Sequence, residues 1–179
     1  MLALLAAPNS FASERKLVEK QFRSYWSAFC FGKFDQAVEY IYESDLLAMK
    51  KEFVPVFEEA LQSRDEKVRQ VGKTFFSGIA EDQRGNLSTR DVFERVTRFG
   101  FSASPEALQI LQRAPMMIDK VEFSPKNEAS ITYHLKVNGQ DLESDRERMI
   151  RVDGKWFLRL KDVQGSAAAM RQALFGAKN

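Results

Sequence analysis

The residues able to carry chemistry in this chain are few and far apart. His134 is the one histidine and Cys30 the one cysteine of 179 residues. A thiol–imidazole pair needs both groups within hydrogen-bond reach. Cys30 closes an apolar helical stretch, where a buried inert thiol is the expectation. His134 alternates with Thr132 and Lys136 on a polar strand face, beside Glu143. One histidine and one cysteine build neither a zinc nor an iron–sulfur cluster, so no metal is expected. The glycines form neither GxGxxG nor GxxxxGK[ST], which argues against a phosphate-cradling loop and leaves no cofactor implied. The remaining catalytic candidates are Asp119, which alternates with Met117, Val121 and Phe123, and Tyr133. A carboxylate on an apolar face beside a phenol is an arrangement for general acid–base work. Tyr25, Trp26, Tyr40 and Tyr133 are the candidate lining of a pocket with a few polar tips. Arg148, with Arg146 and Arg159, is the candidate anion contact. Aromatics at helical spacing also make plain core, and arginines on a strand also make solvated surface.

The elements that position these residues fall into a helical half and a sheet. Val18, Phe22, Tyr25, Trp26 and Phe29 recur in steps of three and four, which predicts a helix over 13–30. A short second helix carries Phe34, Ala37, Val38 and Ile41. Ser44-Asp45 reads as the cap of a third, in which Pro55 predicts a kink or restart near Phe53. Ser63-Arg64-Asp65-Glu66 reads as a capping box opening a fourth helix. Gly72 inside that helix costs about 1 kcal/mol relative to Ala unless a neighbouring helix comes close. Ser88 with Asp91 opens a fifth helix, which Gly100 should end, and Ser104-Pro105 opens a sixth.

The stretch 116–161 organises the rest. Strand one is expected over 117–123, then a turn, then a strand from Glu128 to Val137. Asn138-Gly139 and Asp153-Gly154 are two-residue hairpin turns. The first turn pairs Val137 with Gln140, Lys136 with Asp141 and Leu135 with Leu142. The second pairs Val152 with Lys155, Arg151 with Trp156, Ile150 with Phe157 and Met149 with Leu158. Both turns cannot keep their apolar residues on one face of the long strand between them. A β-bulge within 143–147 resolves the conflict and turns Arg146, Arg148 and Arg159 away from the concave side.

Composition bounds the rest. Hydrophobic residues make up 44% and charged residues 29%, with a net charge of +2, so one ordinary domain is the default. Acids and bases are interleaved, which gives no nucleic-acid footprint. Residues 1–12 carry no charged side chain and resemble a signal peptide with cleavage after Ala12, implying a periplasmic or secreted protein. No other run is long enough to be a membrane span. The 162–179 tail holds AAAMRQALFG, read either as a short helix capped by Ser166 that docks on the body or on a partner, or equally as a disordered tail.

Amphipathic helices followed by an antiparallel sheet define an α+β fold, here a curved four-stranded sheet capped by helices. The segment ITYHLKVNGQDLESDRERMIRVDGKWFLRLK, with its V-D-G-K-W turn, resembles the sheet of the nuclear transport factor 2-like superfamily. Tyr25-Trp26 and Phe34 resemble that family's opening helices. The resemblance covers 13–161, with a helical insertion at about 63–113. It implies a cone with a cavity that serves as an active site in ketosteroid isomerase-like and polyketide-cyclase-like members and as plain core in others. No residue here maps onto the isomerase constellation, and fold alone does not license the activity. The expectation is therefore an exported binding or interaction module holding a small apolar or amphipathic ligand in the cone cavity. Homodimerisation or an envelope protein partner is compatible with it. The alternatives are a small isomerase- or cyclase-type enzyme using Asp119 and Tyr133, and a structural protein docking through its C-terminal helix.

Overall fold

The computed structural model describes residues 8–176, with side chains from Ala12 onward. Residues 1–7 of the expected signal segment lie outside the described residues; residues 8–12 open the first helix. The fold is α+β, helices followed by a curled antiparallel sheet. The chain divides into two compact units, 1–42 with 106–159 and 43–105 with 160–179.

The first unit holds α1 (Pro8–Cys30), α2 (Phe34–Ala37) with a following 3₁₀ turn (Val38–Tyr40), α6 (Pro105–Arg113) and the sheet. Its strands are β1 (Met116–Ser124), β2 (Glu128–Val137), β3 (Gln140–Asp141), β4 (Asp145–Val152) and β5 (Lys155–Leu158). Their order is β1-β2-β4-β5, with β3 paired to β2. The spacing of Val18, Phe22 and Tyr25 puts them on one face of α1, and all three are buried. That face packs on the sheet: the Phe22 and Trp26 rings lie 5.1 and 5.3 Å from the Tyr133 ring. At the other end of the helix Glu14 accepts from Trp156 Nε1 at 2.9 Å and pairs with Arg151 at 3.1 Å. The chain after α2 is tied to β5, where the Tyr42 amide donates to the Leu158 carbonyl at 2.9 Å.

Both hairpin turns form as the sequence demands, with positive φ at Asn138, Gly139, Asp153 and Gly154. Val137 faces Gln140 and Lys136 faces Asp141, and the Leu142 amide donates to the Leu135 carbonyl at 2.8 Å. Beyond that point the register slips by one. Tyr133 faces Asp145 rather than Ser144, and Thr132 faces Arg146. Residues 142–144 leave the ladder, which places the expected bulge at its N-terminal limit. Ala129 with Met149, and Ile131 with Glu147, consequently share the face under α1 with Tyr133 and Asp145. Arg146 and Arg148 turn outward with Thr132 and Ser130. The second hairpin keeps its predicted register, Met149 opposite Leu158 through Val152 opposite Lys155.

Strand β1 departs from strict alternation. Ile118 faces Tyr133, but Lys120 faces Thr132, so Asp119 is an extra residue without an opposite number. This bulge exchanges the faces within the strand. Ile118, Val121 and Phe123 lie on the side of Tyr133, Ile131 and Ala129, whereas Met117 and Asp119 lie outside with His134. The expected grouping of Asp119 with Val121 and Phe123 is therefore corrected.

The second unit holds α3 (Glu43–Leu61), α4 (Glu66–Phe75), α5 (Thr89–Ala103) and α7 (Val163–Phe175). Helix α3 continues through Pro55, so of the kink or restart expected there the restart does not occur. Its Phe57 stacks on Phe75 of α4, with centroids 3.8 Å apart, and meets Phe99 of α5 edge-on at 5.6 Å. Gly72 makes the α3–α4 crossing possible, because a Cβ there would lie 2.7 Å from the Leu61 nitrogen and 2.9 Å from the Phe57 oxygen. Asp65 rather than Ser63 caps α4, accepting from the amides of Lys67 and Val68. The Ser88–Asp91 capping box forms as read, with Leu87 buried beside it. Helix α5 runs past Gly100 to Ala103. Asp45, expected at a cap, is instead 8% exposed inside α3 and accepts from the Leu160 amide at 2.9 Å. Asp162, not Ser166, caps α7, which packs on α3 through buried Ala167 and an Arg171–Glu59 pair at 3.0 Å.

Candidate functional site

The aromatic candidates separate into two places. Tyr25, Trp26 and Tyr133 gather between α1 and the sheet, where Tyr25 and Tyr133 are buried and Trp26 is half-buried. These rings fill that space by packing on one another and on Phe22 and Phe29. The Tyr133 hydroxyl donates to Asp145 Oδ2 at 3.4 Å. Burial holds the Tyr133 phenol well above its ordinary pKa, and the negative charges of Glu147 and Asp145 push it further. Tyr25 is raised in the same way, first by burial and then by Glu147. Burial also lifts the neighbouring Cys30 thiol to about 11, which keeps it protonated and unreactive. The acids that meet this tyrosine pair are thus Asp145 and Glu147, neither of which the sequence reading had singled out. The signal was the bulge itself: once the register slips before Asp145, both odd-numbered acids must face inward.

Asp119 does not join them. Its Oδ1 lies 2.8 Å from His134 Nδ1 on the outer face, and the Ser144 hydroxyl donates to its Oδ2 at 3.4 Å. The second ring nitrogen of His134 lies 3.4 Å from Asp141. The imidazole is therefore held between two carboxylates, with the serine bonded to the acid and not to the base. That geometry lacks the serine–imidazole contact an activated nucleophile requires. Arg148 is exposed on the outer face, where its carbonyl accepts from the Arg159 amide at 2.8 Å. The Arg159 guanidinium covers the Tyr42 ring at 5.1 Å, and Arg146 pairs with Glu122 at 3.3 Å. The Arg159 and Arg146 guanidinium groups are thus engaged in separate contacts. Among the described residues no group of three or more histidine, cysteine or acidic side chains is placed to hold a metal.

The fourth aromatic candidate, Tyr40, lines a cleft of about 630 Å³ between α1 and the α2 segment. Lys16, Lys20 and Arg23 follow one another at helical spacing along one wall, and Lys33 stands on the other side of the helix end. Ser24 and Ser27 add hydroxyls, while Ala28, Tyr40 and the Phe31 ring, 62% exposed, add apolar surface. The cleft's one acid, Glu19, is bound at 2.7 Å by Arg15 on the same helix. Among the described residues no carboxylate pairs with Lys16, Lys20, Arg23 or Lys33; Arg23 reaches the Met116 carbonyl at 3.4 Å. The Lys16-Lys20-Arg23 spacing was present in the sequence. It passes for a solvated helix face until the α2 turn closes over it.

No family model matches the chain, and neither do any curated protein or solved structure.

Proposed function

We propose that the protein is an exported, non-catalytic binding module that holds a small amphipathic ligand in the cleft between α1 and the α2 segment. The observation that carries this reading is the cleft itself. Its volume of about 630 Å³ falls in the range of small-molecule sites, and it joins an aromatic and aliphatic wall to polar groups. The polar groups lining it are ammonium, guanidinium, hydroxyl, phenol and amide, and its one carboxylate, Glu19, is held by Arg15, which favours binding over turnover. The aromatic cluster under the sheet takes the role of core in this reading. Relationship to the nuclear transport factor 2-like superfamily belongs to the same proposal, supported by the curled antiparallel sheet, the DGKW hairpin and a first helix laid across the sheet.

Native mass spectrometry of the purified protein tests the proposal. One small-molecule adduct per chain is expected, and it should be absent from Ser27→Trp, which fills the cleft from an exposed position. An adduct that survives Ser27→Trp would place the ligand elsewhere. Export is checked by expressing the full chain with its own N-terminus and sequencing the extracytoplasmic product, which should begin after Ala12.

A further inference from the structure

We infer that the ligand of this cleft carries a phosphate-class headgroup, seated on Lys16, Lys20, Arg23 and Lys33. The inference rests on the binding-module reading above and adds the chemistry of the head. Four cations line one cleft, and the single acid among them is already neutralised within its own helix by Arg15. Several cations elsewhere on the surface are matched, Lys73 with Glu66, Arg98 with Glu94, Lys120 with Glu122 and Arg171 with Glu59. Unmatched like charges lining a concave wall repel one another, and an anion bound between them removes that repulsion.

The number and kind of donors favour phosphate over carboxylate. A carboxylate offers one charge and two oxygens, satisfied by a single bidentate arginine. A phosphate monoester carries about 1.5 to 2 negative charges at neutral pH and three strongly accepting oxygens. Three ammonium groups, one guanidinium and the hydroxyls of Ser24 and Ser27 match that larger demand. Ala28, Phe31 and Tyr40 line the same cleft and give an attached apolar chain somewhere to lie.

Calorimetric titration of the full chain tests this with three probes, each below its micelle concentration where one exists: decyl phosphate, decyl maltoside and inorganic pyrophosphate. Decyl phosphate should bind one to one and at least tenfold more tightly than decyl maltoside. Raising the salt from low to high ionic strength should weaken it, because exposed charges are screened. Neutralising Lys20 and Arg23 together (Lys20→Gln with Arg23→Gln) should weaken it by about fivefold per charge removed. Lys67→Gln in the helical unit is the charge control and should leave it unchanged. Equal binding of the phosphate and the maltoside would overturn the headgroup assignment while leaving the cleft as an amphipathic site. Failure of both alkyl probes together with pyrophosphate would overturn the site as well. Pyrophosphate binding as tightly as decyl phosphate would keep the phosphate seat and overturn the alkyl part, making a soluble phosphate the ligand.

Discussion

Raising the pH should unfold the sheet unit, and the two buried tyrosines set how steeply. Tyr25 and Tyr133 are held neutral by burial and by the charges of Glu147 and Asp145, so their folded pKa values lie above the ordinary phenol value. The unfolded chain releases both protons above pH 10, while the folded chain keeps them. The tyrosines' contribution to stability is thus complete below pH 10 and falls as pH rises above it. Each retained proton is worth about 1.4 kcal/mol per pH unit, so the pair removes about 2.7 kcal/mol per unit. By pH 12 the loss is about 5 kcal/mol, the lower end of a whole domain's net stability. Cys30, raised to about 11, adds a smaller loss that begins one unit lower and saturates near its folded value. The assay is urea unfolding between pH 8 and 12, followed by tryptophan fluorescence. Both tryptophans, Trp26 and Trp156, lie in the sheet unit and report on it. Tyr133→Phe should halve the slope above pH 10, and Cys30→Ala should remove the component that begins near pH 9. Two results would refute the reasoning: stability that is flat from pH 10 to 12, or tyrosinate absorbance from all four tyrosines while the fluorescence is still native.

Further outcomes are expected from substitutions and deletions. Gly72→Ala places a methyl against the backbone of α3 and should cost about 1–3 kcal/mol despite its better helix propensity, read as a lowered midpoint of the 222 nm melt. Asp45→Ala leaves the Leu160 amide without its carboxylate and should cost about 1–3 kcal/mol, with hydrogen exchange at Leu160 accelerated. Deleting Ser144 removes the extra residue of the bulge while Tyr133 still meets Asp145, so the protein should keep its fold. Deleting Glu147 would instead turn buried Met149 outward and should abolish the native near-ultraviolet spectrum. Truncation before Val163 strips α7 from α3 and should lower the stability of the helical unit, as seen in urea melts at 222 nm.

The hairpins were legible in the sequence because Asn-Gly and Asp-Gly dictate both turn and register. The bulge was legible because two registers of opposite parity had to meet in one strand. The bulge in β1 was not read, although Ile118 stands out of phase with Val121 and Phe123. Met116 and Met117 are both apolar and hide the change of phase. That miss placed Asp119 on the wrong face, and with it the supposed catalytic pairing with Tyr133. Asp45 and Gly100 were misread for another reason. Local cap chemistry suggested helix ends, but the Asp45 carboxylate serves a backbone amide 115 positions away, and Gly100 sits in the last turn of a helix that continues to Ala103, with open space beside it. The cationic cleft escaped because the charge of α1 is ordinary in one dimension and becomes concentrated only when the α2 turn folds beside it.

The extra residue in β1 has a consequence for how this sheet meets other chains. β1 is the outermost strand on its side, nine residues long, and an open edge of that length is a template for another strand. Asp119 interrupts the two-residue repeat near its middle, so an incoming strand in register on one side of the interruption is out of register on the other. Beyond it, Lys120 and Glu122 are locked together at 2.7 Å, with Arg146 alongside, and present charge where a guest strand would need a flat backbone row. The opposite edge strand, β5, is four residues long. The sheet is thereby fixed in width, and the fold carries its own protection against edge-to-edge polymerisation.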